Sequence, residues 1–411
     1  MINTCTVTNM ADRKSRQMMH RAKKKNPDGI IVAVGCYVQA AKEQLEEDTL
    51  IDLVIGNNMK SQVVQIVEQY IQDNRHTEDR DAYVADIAHS HEYEAMHIET
   101  VSEHTRAYIK IQDGCNQFCS YCIIPYARGR VRSRKMEDIL QEVRNLTANG
   151  YKEIVLTGIH ISSYGLDFEH TADEQEDYGP FKNSALIDLI EALSGIEGLE
   201  RIRLGSLEPR IITENFVRRL CKVPQICPHF HLSLQSGCDE TLKRMNRHYT
   251  TALYLEKCGI LRQYFDRPAL TTDVIVGFPG ETEEEFAQTE RFLETVHFSD
   301  MHIFKYSKRR GTKAADMPNQ IDPQIQSVRS EKLIALGERM KDDFLEACKD
   351  QEQIVLIEEE TEIGGTKYMT GHSKNYIRCA FEMDGLVPNM VIKGTINSKL
   401  NEEFVFCKRI D

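Results

Sequence analysis

The sequence lacks tryptophan and long apolar runs: its 411 residues include no Trp and only 11 prolines, and the longest aliphatic run, residues 30–34, has the length of one strand. A membrane-spanning helix needs about 20 apolar residues, so none is predicted. The first five residues have neither the basic nor the apolar segment of a secretory signal, which predicts a cytoplasmic protein. In that reducing compartment the 12 cysteines are candidates for metal, redox or core roles, not for disulfides.

Positive charge is also scarce, with 51 Lys and Arg against 64 Asp and Glu and a net charge of −13. Phosphate contacts need Lys and Arg, so this average argues against a nucleic-acid partner. Three local basic patches, at residues 13–25, 128–135 and 308–313, indicate the opposite. Any single patch is equally typical of a solvated helix face or loop. Together they predict a polyanionic partner, with these candidate contacts: Arg128, Arg130, Arg132, Arg134, Lys308, Arg309 and Arg310.

The chain divides into three predicted domains by its patterning. Residues 1–75 alternate strands and helices, which predicts a small parallel α/β sheet of flavodoxin-like type. Residues 76–105 are polar, acidic and rich in histidine, as in an interdomain linker. Residues 106–345 contain six βα units, which predict a partial (βα)6 barrel with its chemistry at the carboxyl ends of the strands. The predicted barrel strands are 108–113, 153–158, 201–205, 229–234, 272–277 and 301–306.

Three further segments complete the prediction. One long helix is expected over residues 239–264 and another over 330–348, while the acidic stretch 167–177 is expected to be a surface insertion. Residues 346–411 show short β-like runs separated by Gly, Asn and Ser, which predict a small antiparallel β-barrel. Its aromatic residues Tyr376 and Phe381 are candidates either for stacking on bases or for the barrel core.

The most informative motif is CxxxCxxC, formed by Cys115, Cys119 and Cys122 directly after the first predicted barrel strand. Three thiolates in one loop suit a four-iron cluster with one open iron that binds a small molecule. A structural zinc site normally has four protein ligands, so the alternative is a zinc knuckle completed by a distant His or Cys. The remaining cysteines, from Cys221 onward, have no mutual metal spacing and are expected to be core or incidental thiols.

With this motif opening a series of βα units, the chain resembles the radical S-adenosylmethionine superfamily. The resemblance implies that Cys115, Cys119 and Cys122 ligate a [4Fe-4S] cluster whose open iron binds S-adenosylmethionine. Reductive cleavage of that cofactor yields a 5′-deoxyadenosyl radical, which requires an electron donor. Cofactors of this kind carry the difficult chemistry, and the protein supplies binding and orientation.

Further motifs resemble the methylthiotransferase family along essentially the whole chain, including its carboxyl-terminal TRAM-like barrel. Finer signatures point to the branch that methylthiolates N6-threonylcarbamoyladenosine beside the tRNA anticodon. The resemblance implies tRNA as substrate, methylthio transfer to adenine C2, S-adenosylmethionine as methyl and radical source, and a separate sulfur source. The signatures are NTCTVT (3–8), KSR (14–16), GCY (35–37), TGIHISSYG (157–165), KRMNRHY (243–249) and YSKRRGT (306–312).

The same resemblance implies that Cys5 and Cys36, each following a strand of one parallel sheet, ligate a second [4Fe-4S] cluster. In the family a third cysteine follows an earlier strand, and this chain starts within the strand that comes next. We therefore expect an amino-terminal truncation, or a Met1 that is an internal methionine. A cluster held by two thiolates instead of three is expected to be labile.

Residues near the other strand ends are candidates for binding S-adenosylmethionine. The glycines among them permit close backbone approach to a ligand, although tight βα turns also use glycine for structural reasons. An aromatic ring beside the cluster is likewise expected either to pack near adenine or to pack in the core. The candidates are Tyr121, Gly158, Arg203, Ser206, Gln235 and Gly277.

The alternatives to this function differ from it in substrate or in catalytic competence. They are a methylthiotransferase for isopentenyladenosine in tRNA, one for a ribosomal-protein side chain, and a catalytically incompetent tRNA-binding form. The sequence does not predict the oligomeric state.

Overall fold

The computed structural model describes residues 1–73, 82–90, 92–94, 105–168, 180 and 184–410. Within these residues no helix is both long enough and apolar enough to cross a membrane. Most of the predicted acidic insertion and part of the predicted linker lie outside the described residues.

The amino-terminal part is a parallel sheet covered by helices. Strand β2 reads VAVG and is buried along its whole length, as expected for a strand with both faces covered. Separate apolar clusters on the two faces, around Tyr37 and around Tyr70, account for that burial. The strands, in sheet order, are β1 (Ile2–Thr4), β2 (Val32–Gly35), β3 (Leu53–Ile55) and β4 (Ala82–Tyr83). The helices are α1 (Asn9–Lys25), α2 (Cys36–Ala40), α3 (Lys42–Glu46) and α4 (Val63–Gln72).

Strand β4 corrects the predicted linker, because it lies within residues 76–105 and pairs in parallel with β3. Its two residues are too few to show a strand pattern in the sequence. Nearby, Gln39 donates a hydrogen bond to the Ala85 carbonyl at 2.9 Å and so fixes this segment against α2.

The central part is the predicted partial barrel. Six parallel strands follow one another in chain order, β5, β7, β8, β9, β10 and β11, and isolated bridges such as Leu207 to Leu232 join the two halves. One large apolar core lies between the strands and the outer helices. The elements are β5 (Arg106–Asp113), α5 (Ile124–Arg128), β6 (Arg132–Ser133), α6 (Met136–Ala148), β7 (Glu153–Gly158), α7 (Ala185–Ser194), β8 (Arg201–Leu204), α8 (Glu214–Leu220), β9 (His229–His231), α9 (Asp239–Arg244), α10 (Thr251–Tyr264), β10 (Ala269–Val276), α11 (Glu283–Val296), β11 (Asp300–Lys305) and α12 (Pro323–Ala347).

Two helix predictions are wrong in their bounds. The helix expected over 239–264 is divided into α9 and α10, because Asn246 takes a left-handed conformation with φ of 58° and Thr250 caps α10 by accepting from the Leu253 amide. The helix expected from residue 330 begins at Pro323, where Asp322 accepts a hydrogen bond from the Gln324 amide. Proline at the first helical position is favourable.

The carboxyl-terminal part is a closed five-stranded barrel, ordered β12, β13, β14, β16, β15. It is antiparallel except for the pair β14 and β16. Phe381 is 1% exposed and belongs to its core, so this ring does not stack on an external base. The strands are β12 (Glu352–Ile363), β13 (Thr366–Ser373), β14 (Arg378–Phe381), β15 (Val391–Lys399) and β16 (Val405–Ile410).

Candidate active site

The three-cysteine loop begins where β5 ends, at the carboxyl edge of the partial barrel. Gly114 permits the sharp exit, since it has a φ of 72° and an added Cβ would lie 1.8 Å from the Arg130 carbonyl oxygen. The Cys115 amide donates to the Gly129 carbonyl at 3.0 Å and closes the loop. The loop thus presents its side chains at a fixed place.

The thiols of Cys115, Cys119 and Cys122 are partly buried in one loop. Burial raises the pKa of Cys115 to about 11 and that of Cys122 to about 12. Deprotonated thiols at this place therefore need a cationic partner, which an iron-sulfur cluster supplies. The Gln117 amide donates to Cys115 Sγ at 3.5 Å and Arg247 Nη1 to Cys119 Sγ at 3.3 Å. Such hydrogen bonds stabilise metal-bound sulfur, so the donor set fits a cluster.

The turn between α9 and α10 holds this loop from the opposite side. Asn246 Nδ2 donates to the Phe118 carbonyl at 3.0 Å, and the Ser120 hydroxyl donates to the Arg244 carbonyl at 2.8 Å. The Ser120 amide donates to the Met245 carbonyl at 3.0 Å. The loop is therefore fixed by a segment more than 120 residues away in sequence.

Arg247 is the functional residue that the sequence analysis did not assign. Besides Cys119, its guanidinium contacts the Tyr249 hydroxyl at 2.9 Å and the Ser233 carbonyl at 3.2 Å. Its side chain therefore joins the cysteine loop to the end of β9. The sequence signal that could have identified Arg247 is its position within the KRMNRHY segment, residues 243–249.

His160 is a second unassigned residue, placed just after β7 in the TGIHISSYG segment. Its Nδ1 lies 2.6 Å from the Ser163 hydroxyl, and its amide donates to Gln112 Oε1 at 2.8 Å. Burial, with the positive charges of Arg247 and Arg210, lowers its pKa to about 3. The site thus contains a neutral imidazole near neutral pH.

Among the predicted cofactor residues, Tyr121 and Gly277 lie near each other. The Tyr121 ring packs edge to face on Phe278 with centroids 6.4 Å apart, and Phe278 directly follows Gly277. Burial raises the pKa of Tyr121 well above its usual value. Gly277 also has a packing reason, because an added Cβ would lie 2.3 Å from Gln326 Cγ.

Gly158, Ser206 and Gln235 lie at the ends of three further strands. Gly158 and Ser206 are exposed. Gln235 is 8% exposed, has a φ of 72°, and uses its backbone to bridge Asp273 and Ile275 of β10. These residues share the carboxyl side of the barrel with the cysteine loop.

Arg203 does not belong to this group, and its assignment to cofactor binding is wrong. It is 3% exposed, and its three donor groups reach Glu153 Oε1 at 2.9 Å and the carbonyls of Lys374 and Ser373 at 3.0 and 3.2 Å. Its guanidinium therefore docks the carboxyl-terminal barrel onto the partial barrel. Tyr376 packs in the same contact, where its ring stacks on His229 and on His372 with ring centroids 4.7 and 4.6 Å apart, and the residue is 39% exposed.

The second cysteine set lies at the junction of the amino-terminal sheet and the partial barrel. Cys5 follows β1 and is exposed, whereas Cys36 opens α2 and is buried. Arg128, six residues after Cys122, donates from Nε to Cys36 Sγ at 3.0 Å and from Nη1 to Asp113 Oδ2 at 3.3 Å. One guanidinium therefore connects Cys36 of the amino-terminal domain to Asp113 at the end of β5. We define the contacts of α2 with α5 and of α1 with residues 308–313 as the amino-terminal seam.

The basic residues divide into two groups. Arg132 and Arg134 are 1% and 3% exposed and pair with Asp113 and Glu142, so their assignment to nucleic acid is wrong. Arg309 is 6% exposed and pairs with Asp12 and Thr6 of the amino-terminal domain, so its assignment is wrong as well. Buried cations need such partners, and a sequence pattern does not reveal them. The exposed group comprises Arg130, Lys308 and Arg310, together with Arg13, Lys14, Arg16, Arg21, Lys24 and Lys25 of α1.

Comparison with solved structures defines the class of fold. The radical S-adenosylmethionine methyltransferase TsrM from Kitasatospora setae, solved with tryptophan and a cofactor analogue, matches 74% of this chain and 62% of its own with a TM-score of 0.54 at 14% identity. The model of the radical SAM superfamily matches residues 109–293, and that of the uncharacterized protein family UPF0004 matches residues 1–56. The fold is that of a radical S-adenosylmethionine enzyme.

Sequence relatives narrow the class to one family. A threonylcarbamoyladenosine tRNA methylthiotransferase of Bacillus subtilis is 38% identical over 93% of this chain and 81% of its own length. Its namesake in Aquifex aeolicus is 37% identical over 91% and 87%. A tRNA-2-methylthio-N(6)-dimethylallyladenosine synthase of Caldicellulosiruptor saccharolyticus is 36% identical over 82% and 69%. The chain belongs to the radical S-adenosylmethionine tRNA methylthiotransferase family.

Membership in this family implies a [4Fe-4S] cluster and S-adenosylmethionine. The cluster, when bound, supplies the electron that cleaves the cofactor. The protein's own part is to position the three thiols, to donate hydrogen bonds to them from Gln117 and Arg247, and to shield the site with Tyr121 and Phe278.

Proposed function

We propose that this chain adds a methylthio group to C2 of N6-threonylcarbamoyladenosine beside the anticodon of tRNA. In this reaction a C–H bond of adenine is replaced by a C–S bond, which no side-chain acid or base achieves at an unactivated carbon. The substrate assignment is supported by two relatives named for threonylcarbamoyladenosine, which are 38% and 37% identical over 93% and 91% of this chain.

The observation that carries the proposal is the contact of Arg128 with Cys36. Cys36 Sγ lies 3.0 Å from Arg128 Nε, at the end of the short helix α5 that follows the three-cysteine loop, where radical chemistry is expected. Methylthio transfer needs a sulfur-carrying group close to the radical site. We propose Cys36 and Cys5 as ligands of a second [4Fe-4S] cluster that provides this sulfur, and Cys115, Cys119 and Cys122 as ligands of the first.

Buried Asp113 supplies the negative charge that pairs with Arg128 at this contact. Burial favours the neutral carboxyl, but Lys110, Arg128 and Arg132 outweigh it and hold the pKa of Asp113 below its usual range. Asp113 therefore remains a carboxylate and fixes the Arg128 guanidinium, whose Nε points to Cys36. We propose Arg128 as a positioning residue, not as the RNA contact that the sequence indicated.

We propose that tRNA binds along the amino-terminal seam. The exposed cations Lys308 and Arg310 flank Arg309, which pairs with Asp12 at the start of α1. The exposed side of α1 continues the positive surface with Arg13 and neighbouring cations. Contacts from these side chains to phosphate oxygens orient an anticodon loop without reading its sequence.

For S-adenosylmethionine we propose contacts at Tyr121, Gly158, Ser206, Gln235 and Gly277. These residues lie at the same side of the barrel as the three-cysteine loop. The proposed division of labour assigns residues 1–75 to the second cluster, 106–345 to radical chemistry and 346–411, a TRAM-like barrel, to additional RNA contact. An electron donor and a sulfur source are further required.

The test is nucleoside mass spectrometry after anaerobic incubation of the iron- and sulfide-reconstituted chain with S-adenosylmethionine, dithionite, sulfide and tRNA lacking methylthio groups. Two tRNAs are compared, one with threonylcarbamoyladenosine and one with isopentenyladenosine. A 2-methylthio product from the first tRNA only is expected. A product from the second tRNA only contradicts the substrate assignment.

Two controls separate the parts of the proposal. Formation of 5′-deoxyadenosine without any methylthio nucleoside preserves the cofactor chemistry and contradicts methylthio transfer by this chain. The Cys119→Ala variant should form neither product, whereas Cys221→Ser, a partly exposed thiol that donates only to the Arg218 carbonyl, should match the wild type.

A further inference from the structure

The concave face of the partial barrel carries a second group of metal-ligand side chains, remote in sequence from the cysteines. Within the described residues, only His231, Asp273 and His302 form a group of three whose ligand atoms all lie within 4.8 Å of one another. They come from β9, β10 and β11, which are adjacent in one sheet. Asp273 lies directly opposite His302 in the parallel pairing, and Thr271 lies opposite His231.

Strand alternation explains why the three side chains share one face. Their neighbours Phe230, Leu232, Thr272 and Val274 are all 0% exposed on the helix-covered face of the sheet. His231 and Asp273 therefore point to the opposite face, where their side chains are 13% and 29% exposed. His302 is exposed on the same face.

The geometry is that of a metal-ligand set. His231 Nε2 lies 3.2 Å from Asp273 Oδ2, and ligands about 2.0–2.1 Å from a tetrahedral zinc ion are about 3.3 Å apart. The other ring nitrogen of His231 is engaged, since Nδ1 lies 3.0 Å from the Thr271 hydroxyl. Metal-bound histidines are typically oriented by such a hydrogen bond on their second nitrogen.

The surroundings leave room for a further ligand. His231 and His302 line a cavity of about 330 Å³ between the partial barrel and the carboxyl-terminal barrel, which Lys341 and Tyr376 also line. Two histidines and one carboxylate occupy three positions of a tetrahedron, and the fourth remains open toward this cavity.

We propose that His231, Asp273 and His302 bind one zinc ion with an open coordination position facing this cavity. Imidazole and carboxylate ligands suit both zinc and ferrous iron, and zinc is bound more tightly by a given site of this kind. The site is separate from the two proposed clusters, which use thiolates, and it does not rest on the identity of the tRNA substrate.

The test is zinc binding by the reconstituted 411-residue chain, measured as metal content and as Zn K-edge X-ray absorption. One zinc per chain with nitrogen and oxygen ligands at about 2.0 Å and histidine scattering is expected. In competition with a chromogenic chelator, Asp273→Asn and His302→Gln should each weaken zinc binding at least tenfold. Because His302 is exposed, its replacement should leave the melting temperature unchanged.

His20→Gln is the matched control. His20 also lies beside an aspartate, with Nε2 2.6 Å from Asp48 Oδ2, but this pair has no third ligand among the described residues. The His20→Gln variant should bind zinc as tightly as the wild type does. Zinc held only by sulfur, or bound equally by His302→Gln and the wild type, would overturn the proposal, since a His–Asp hydrogen bond would then account for the contact.

Discussion

The partial barrel meets a second domain at each of two seams, and both are built around arginines that are buried or partly buried. At the amino-terminal seam, Arg128 and Arg309 reach a thiol, carboxylates and a hydroxyl near the carboxyl ends of the strands. At the carboxyl-terminal seam, Arg201 and Arg203 share Glu153 and reach backbone carbonyls of the second barrel. The first seam thus includes reactive groups, and the second is a structural contact.

This difference separates arginines that stabilise the fold from arginines that serve the reaction. A guanidinium such as that of Arg203, whose three nitrogens donate to a buried carboxylate and to backbone carbonyls, has no capacity left for a ligand. By contrast, Arg128 donates to the Cys36 thiol and so orients a side chain that we propose to bind metal. We propose that exposed cations beside the amino-terminal seam contact RNA phosphates.

The largest effect is expected in the barrel between the seams. Cys119→Ala removes a proposed cluster ligand and the acceptor of Arg247, so 5′-deoxyadenosine formation should fall to the uncatalysed level. Chromatography measures the amount of 5′-deoxyadenosine formed, and the Cys221→Ser variant is the control. Undiminished cofactor cleavage would refute the ligand assignment.

Breaking the carboxyl-terminal seam should affect stability, not chemistry. Glu153→Gln leaves Arg201 and Arg203 buried without their carboxylate, which typically costs about 3–5 kcal/mol. Urea denaturation checks this value, and Glu362→Gln, an exposed strand residue, is the control. A loss below about 1 kcal/mol, the level of a surface ion pair, would contradict the structural role.

The same carboxylate predicts a pH dependence. Burial favours neutral Glu153, but Arg203 and Arg201 outweigh it and lower the pKa. Because the folded-state pKa is below the unfolded one, the stabilisation is present above about pH 4.3 and is lost as pH falls through the folded pKa. The fall in unfolding free energy over this acid range should be smaller in Glu153→Gln. An identical acid profile in both proteins would show that Glu153 is not the linked group.

Breaking the amino-terminal seam should affect sulfur transfer specifically. Arg128→Gln removes the donor to Cys36, and loss of such an outer contact typically lowers metal affinity or activity about 10–100-fold. Methylthio product should fall by this factor while 5′-deoxyadenosine formation persists, and the electron paramagnetic resonance signal of the second cluster should change. Arg144→Gln, an exposed arginine of α6, controls for charge. An equal loss of both products would assign Arg128 to the first cluster instead.

The smallest effect concerns RNA affinity. Replacing Lys308 and Arg310 by alanine removes two exposed cations, so the slope of log affinity against log salt should fall by about 0.7 per lost phosphate contact. Filter binding across a salt series measures the slope, and Lys222→Ala, an exposed cation just after α8 of the partial barrel, is the control. An unchanged slope would exclude both residues from the phosphate contact.

The three-part fold was predictable because strand and helix periodicities are local. The cysteine loop was predictable because its three cysteines lie within eight residues of one another in sequence. The short strand β4 and the break at Asn246 were missed, since two-residue strands and single left-handed residues leave little signal. The roles of Arg132, Arg134, Arg203 and Arg309 depend on buried carboxylate, hydroxyl or carbonyl partners that a basic pattern does not show, so that pattern alone misassigned them.

The central claim is that two cysteine sets form two separate metal centres joined at the amino-terminal seam. Electron paramagnetic resonance of the dithionite-reduced, reconstituted chain tests it most directly, by comparing the wild type with Cys36→Ser and Cys122→Ser. We predict two distinct [4Fe-4S] signals in the wild type, with Cys36→Ser losing one and Cys122→Ser losing the other. A single signal that survives Cys36→Ser unchanged would contradict the account.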